Sequence, residues 1–206
     1  TYFLYRLNPH WLPKLLFPLG NLRKPDVWRE AEALGLPADE LKESQEICFV
    51  TQGDYRTCIE KELPEAKQPG LFIDETGQHL DQHDGIAFYT PGQRRGLGIA
   101  TGQRLYVQQV RPATNTVVLG PEESLRRHEC TVSDLNLFAS HLLERSAEVQ
   151  VKVRYATPPT PAILSPLNSS SLRIQFQVPQ RALSPGQSAV FYEGDHVLGG
   201  GIIQPF

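Results

Sequence analysis

The chain has 206 residues, 40% of them hydrophobic, and its 20 basic and 23 acidic side chains leave a formal charge of −3. That is enough apolar material for one or two cores, and sixteen glycines and seventeen prolines point to more than one structural unit. Near-neutrality excludes a nucleic-acid binder that works through bulk charge, so any such contact must be local. No apolar run approaches the roughly 20 residues of a membrane span, and no basic leader precedes an apolar stretch, so nothing argues for secretion. Three cysteines at irregular spacing, Cys48, Cys58 and Cys130, make no disulfide framework and suggest a reducing compartment. Methionine is absent and the chain opens on Tyr2-Phe3-Leu4-Tyr5, so the expectation is the later part of a longer protein.

In chain order, the apolar Tyr2-Phe3-Leu4-Tyr5 reads as an extended segment. Lys24-Pro25-Asp26 announces a helix, because proline suits the first helical position and an acid there complements the helix dipole. Val27, Ala31 and Leu34 form its apolar stripe and Gly35 ends it as a left-handed cap. Together these predict the trailing strand and helix of an α/β unit. A shorter helix is predicted from Asp54 to about Leu63, with Tyr55, Ile59 and Leu63 four residues apart and Pro64 closing the run. After Pro69-Gly70 the texture changes. Leu71-Phe72-Ile73 with Asp74-Glu75-Thr76-Gly77 is a hairpin signal, and Tyr106 to Val110, a turn at residues 113–116 and Val117-Val118-Leu119 make another.

The last eighty or so residues have the clearest period of two. Val149, Val151, Val153 and Tyr155 alternate with Gln150, Lys152 and Arg154, and Leu172, Ile174, Phe176 and Val178 alternate with Arg173, Gln175 and Gln177. One apolar and one polar face imply an antiparallel sheet or small barrel. Pro158-Pro159-Thr160-Pro161 and Asn168-Ser169-Ser170-Ser171 read as loops, and Glu193-Gly194-Asp195-His196 as a turn between strands.

Four features carry possible chemistry. Cys48, in Ser44-Gln45-Glu46-Ile47-Cys48-Phe49-Val50, is either a small packing residue or a nucleophile, and cysteine alone does not decide between them. Gly92-Gln93-Arg94-Arg95-Gly96-Leu97-Gly98 combines glycines that permit close backbone approach with two guanidinium groups; it is a tight structural loop or an RNA-facing one, and its spacing is not a dinucleotide fingerprint. Lys152 and Arg154 fall on the solvated face of a strand, where a plain barrel exterior is the simpler account. His79 and His83 stand four apart and His128 lies near Cys130, yet no second matched ligand pair supports zinc, and no metal is expected.

These runs together, Ser44 to Val50, Gly53-Asp54-Tyr55, Phe88 to Ile99 and Pro179 to Tyr192, resemble the tRNA-specific 2-thiouridylase family along nearly the whole chain. The resemblance implies a fold that is α+β and mainly β: the end of an α/β domain of the adenine nucleotide alpha hydrolase type over residues 1–52, a central β-rich domain over 53–122 and a C-terminal antiparallel β-barrel that binds tRNA over 123–206. It implies ATP-dependent 2-thiolation of the wobble uridine, with Cys48 as the persulfide-bearing cysteine and Arg154, Tyr155 and Gln187 as tRNA contacts; Cys58 and Cys130 match no motif and read as packing residues. ATP, with magnesium, would activate the uracil oxygen; sulfur would then displace AMP, and an upstream cysteine would release the sulfur by forming a disulfide with Cys48. Expected partners are tRNA and a sulfur-donor protein, with neither membrane nor DNA, in the cytoplasm. The family's Ser-Gly-Gly-x-Asp-Ser nucleotide loop does not occur in these residues, so this segment alone is not expected to be active. The competing expectation is a non-catalytic RNA-binding barrel in which Cys48 only packs. A thiol-redox protein is disfavoured because no Cys-x-x-Cys occurs.

Overall fold

A computed structural model describes residues 2–36, 55–99 and 102–206. The fold is α+β and mainly β, built around a four-stranded mixed sheet and a closed six-stranded barrel. Among the described residues no helix is long and apolar enough to cross a membrane.

The opening Tyr2–Arg6 is a 3₁₀ turn, not the expected extended strand. Tyr2 and Tyr5 are three residues apart, the period of a 3₁₀ helix, and this winding puts both rings on one side, where both are buried. A second 3₁₀ turn spans Pro9–Lys14. Helix α1, Lys24–Ala33, forms where the Pro25 signal places it, with the Asp26 carboxylate accepting from the Arg23 amide and Gly35 beyond its end at φ +71°. Its apolar stripe does not reach a core among the described residues: Val27 and Ala31 are only partly covered and Leu34 is exposed.

Helix α2, Tyr55–Glu62, precedes strands β1, Gly70–Asp74, and β2, His79–His83, which form the first expected hairpin. Its turn is fixed by the Asp74 carboxylate, which accepts from the Thr76 amide and hydroxyl and from the Gln78 amide; these bonds hold that carboxyl below its ordinary pKa. The second expected hairpin is β3, Tyr106–Arg111, with β4, Thr116–Gly120, turned by left-handed Asn115. The sheet order is β2-β1-β4-β3, and the central β1–β4 pairing is parallel, which a local reading of two hairpins does not foresee. Phe72, Phe88, Tyr89, Val107, Val117 and Leu119 fill the core beside it.

The barrel comprises β5, Arg126–Leu137; β6, Ala147–Lys152; β7, Thr160–Asn168; β8, Ser171–Arg181; β9, Ser188–Glu193; and β10, His196–Ile203. It closes in the order β10-β5-β8-β7-β6-β9, every pair antiparallel. The period-2 residues Val149, Val151, Leu172, Ile174 and Phe176 line its interior with Leu164, Phe191 and Ile203. Three boundaries depart from expectation. Strand β6 stops at Lys152, so Arg154 and Tyr155 leave the sheet in a turn held by the Thr157 amide and hydroxyl donating to the Arg154 carbonyl. Val178 is 57% exposed, because β8 runs on past the barrel interior toward the central sheet. Thr160 and Pro161, read as loop, begin β7; that strand tolerates Pro161 as its second residue and Pro166 beside a register irregularity, positions where a missing amide donor is least costly.

The 3₁₀ turn is seated on the barrel by glycine. A Cβ added at Gly200 would lie 2.6 Å from the Ala189 carbonyl oxygen and 2.7 Å from the Tyr5 ring, so the fully buried Tyr5 occupies space that any side chain there would take. The Tyr2 hydroxyl donates to the Ser188 carbonyl at 2.7 Å, the Tyr5 hydroxyl lies 2.8 Å from Ser188 Oγ, and Arg6 pairs with Asp134 at 2.7 Å. We expect Gly200→Ala to lower unfolding free energy by about 1–3 kcal/mol, the usual cost of overpacking, when measured by urea denaturation. An unchanged midpoint would show that Tyr5 is not seated as described.

His83 supplies a second expectation. It is 3% exposed between the Phe72 and Tyr89 rings, and neither ring nitrogen makes a hydrogen bond among the described residues. Burial pushes its pKa below 6.5, against weaker pulls from the Asn115 carbonyl and Asp84. The unfolded chain therefore binds a proton that the folded chain resists, and stability falls as pH drops below about 6.5. Urea midpoints at about pH 7 and about pH 5 measure this: the parent should lose stability on acidification and His83→Leu should lose distinctly less. Equal pH dependence of the two would contradict the assignment.

Candidate nucleic-acid interface

Three distant parts of the chain meet in one cleft of about 640 Å³. The amino-terminal 3₁₀ turn contributes Tyr2 and Phe3, the loop after the β2 hairpin contributes Thr90 to Gln93, and the barrel contributes Arg154, Tyr155 and Gly186 to Ser188. The structure thus brings Arg154, Tyr155 and Gln187 to a single place, although they come from two different loops of the barrel.

Arg154 is aimed rather than loose. Its Nη2 donates to the Ala182 carbonyl at 2.8 Å, and burial together with neighbouring Arg181 pulls its pKa below the ordinary guanidinium value, although a guanidinium stays charged throughout the working range. A partly desolvated cation beside a second cation gains from an arriving anion. Arg181 is itself paired with Glu122 at 3.1 Å, and Glu122 also accepts from the Tyr106 hydroxyl at 3.2 Å. Both contacts hold the Glu122 carboxyl below its ordinary pKa.

The opposite wall depends on Gly92, at φ +88°, whose amide donates to the Val107 carbonyl at 2.7 Å. A Cβ there would lie 2.7 Å from that of Ala182, so glycine lets this loop touch the barrel. Gln93 spends its side chain inside the loop, accepting from the Thr90 amide and donating to the Arg95 carbonyl. The structural reading of the glycine loop therefore holds for Gly92 and Gln93, while Arg94 and Arg95 are exposed outside the cleft. Thr90, Pro91 and Gln187 also border a neighbouring, more apolar cleft of about 640 Å³ lined by Tyr89, Val110, Pro185 and Phe206. Exposed Gln187 stands on the ridge between the two, its backbone fixed by bonds to Ser184 and Ile203.

Tyr155 is 67% exposed and stacks on Phe3, with ring centroids 6.1 Å apart and planes 16° from parallel. Lys152 Nζ lies 5.5 Å from the Tyr155 ring centroid. Burial beside Tyr5 and Tyr192 raises the Tyr2 hydroxyl to about 12, so it remains a neutral donor. Sequence reasoning did not single out Tyr2, Phe3 or Ser188. The available signal was the i, i+3 tyrosine pair, which a strand reading obscures.

Cys48 lies outside the described residues. Cys130 is buried in the barrel core, where burial pushes its thiol up to about 12, as suits an inert packing residue; Cys58 is partly exposed on α2, and both are free thiols. His79 is exposed and His83 buried on the same strand, and no group of potential metal ligands occurs among the described residues. Among the described residues the start of α1 is a poor fit for ATP: it is already occupied by the Asp26 carboxylate, which would repel a phosphate, and no glycine-rich loop leads into it.

Three family models match in succession: a tRNA methyl transferase HUP domain over residues 1–52, a tRNA methyl transferase PRC-barrel domain over 56–121, and an aminomethyltransferase beta-barrel domain over 127–203. The chain is 45% identical over 204 residues to the tRNA-specific 2-thiouridylase MnmA of Acetivibrio thermocellus, covering 99% of this chain and 57% of that relative. It is 42% identical to the MnmA of Pelotomaculum thermopropionicum and 42% identical to MnmA 1 of Caldanaerobacter subterraneus subsp. tengcongensis, in each case covering 99% of this chain and 56% of the relative. The chain therefore spans somewhat over half the length of the curated relatives it matches. Aligned almost end to end with these proteins, and folded as a mixed sheet followed by a closed barrel, the chain belongs to the tRNA-specific 2-thiouridylase family.

Proposed function

We propose that this chain is the carboxyl-terminal part of a cytoplasmic tRNA-uridine 2-sulfurtransferase and that its role is to grip single-stranded RNA while sulfur is delivered from Cys48. The observation that carries this is the convergence of Arg154, Tyr155 and Gln187 on one cleft. Each supplies a different element of unpaired-RNA recognition: a planar cation for phosphate, an exposed ring for a base face, and an amide with both donors and acceptors for a base edge. With a net charge of −3 this chain offers RNA no bulk positive charge, so its own affinity would rest on such local contacts.

The finer chemistry rests on the resemblance around Ser44 to Val50. Cys48 would carry the sulfane sulfur as a persulfide received from a donor protein, and a second cysteine, in the nucleotide-binding part, would release it by forming a disulfide with Cys48. ATP and magnesium would be held by that part as well, consistent with the poor fit described above. Residues 1–52 would then be the trailing part of the α/β domain, 53–122 the central domain and 123–206 the RNA-binding barrel. Exposed Trp11, Leu16, Phe17, Leu19 and Leu34 in the first segment support this division, since they present an apolar surface suited to packing against the rest of such a domain.

Titration of unmodified tRNA against variants tests the grip. Arg154→Ala should weaken binding roughly tenfold and reduce the salt slope by about one, whereas Gln187→Ala should weaken it with an unchanged slope. Parent-like affinity in both would remove this cleft from the interface. In a protein that includes the nucleotide-binding part, Cys48→Ser should abolish thiolation and persulfide loading; normal thiolation would leave only the RNA-binding module.

A further inference from the structure

The geometry points to Phe3 as an additional RNA-contacting residue: with Tyr155 it forms a two-ring platform on which an unpaired nucleobase stacks while Arg154 takes the adjacent phosphate. This rests on the RNA-binding reading above and goes beyond it in naming the residue and the contact.

Phe3 and Tyr155 are 69% and 67% exposed even though they stack on each other, so mutual burial hides little of either ring. Two large aromatic faces held parallel in water are a surface for a third flat group. The pair is also rigidly supported. Tyr2, 6% exposed, meets Phe3 edge-on at 5.1 Å and Tyr155 edge-on at 6.4 Å, and its hydroxyl is tied to Ser188. Phe3 is thus presented outward because its neighbours Tyr2 and Tyr5 are driven inward by the 3₁₀ winding. Charge complementarity selects the occupant: Arg154 lines the same cleft and Lys152 sits against the platform, so the flat group should carry an anionic backbone. An apolar peptide side chain satisfies the rings and ignores the cations; a nucleotide satisfies both.

The test uses the full chain and RNA hairpins with a single-stranded loop, carrying 2-aminopurine at each loop position in turn, because stacking on an aromatic ring quenches that base. One loop position should be quenched on binding to the parent. Phe3→Leu should lose that quenching and bind roughly tenfold more weakly with an unchanged salt slope, while Phe3→Trp should retain both properties. The exposed position of Phe3 makes a folding defect from these changes a minor concern, and far-UV circular dichroism checks it. Phe3→Leu with parental quenching and affinity, alongside a weakened Arg154→Ala, overturns the platform and leaves the RNA-binding reading intact. Failure of the parent to bind any hairpin overturns both.

Discussion

The contact between Tyr5 and the bare backbone of Gly200 sets the position of everything around the cleft. A barrel strand is normally covered by its own outward side chains, and here the run Gly199-Gly200-Gly201 leaves a stretch of β10 without them. Tyr5 fills the space over Gly200, and the hydroxyls of Tyr2 and Tyr5 both engage Ser188 at the start of β9. These bonds join residues more than 180 positions apart, and they fix Phe3 against Tyr155. Without them the amino-terminal turn would contribute no wall to the cleft.

The other wall is set by an analogous close approach at Gly92, which lets the central sheet touch Ala182 while Glu122 bridges Tyr106 and Arg181. Glu122 therefore pairs with Arg181 and leaves Arg154, which donates to the Ala182 carbonyl, as the cation that lines the cleft among the described residues. On the proposed reading, a chain without bulk positive charge would hold a phosphate through one partly desolvated guanidinium with a fixed direction. The ring pair beside it contributes shape and stacking rather than charge, so affinity should depend only modestly on salt.

Local rules were sufficient wherever a single element was stabilised by its own sequence. Pro25 and Gly35 bounded α1, the Asp74 turn marked the first hairpin, and alternation located the inward faces of β6 and β8. They failed where tertiary contacts overrode local texture. Tyr2 to Tyr5 is apolar enough for a strand, but its winding is chosen by the barrel surface beneath it. Tyr155 continues the alternation of β6, yet the Arg154 carbonyl turns the chain out and the side chains face the cleft. The prolines of β7 disguised a strand that pairing on both sides sustains. The residues of the candidate interface were legible through family resemblance, which names positions but not the direction they face. Phe3 lies in a run that the resemblance covers but to which it gives no role, and only the folded chain brings it to the site.

The central claim is that one cleft, walled by the amino-terminal turn, the Gly92 loop and the barrel, is where RNA lies. Photocrosslinking of tRNA carrying 5-bromouridine in its anticodon loop, followed by mass-spectrometric mapping of the linked peptides, tests it most directly. The account predicts adducts concentrated on the peptides containing Phe3 and Tyr155. Adducts confined to peptides that do not line the cleft, such as those containing Glu148 and Gln177, would contradict it.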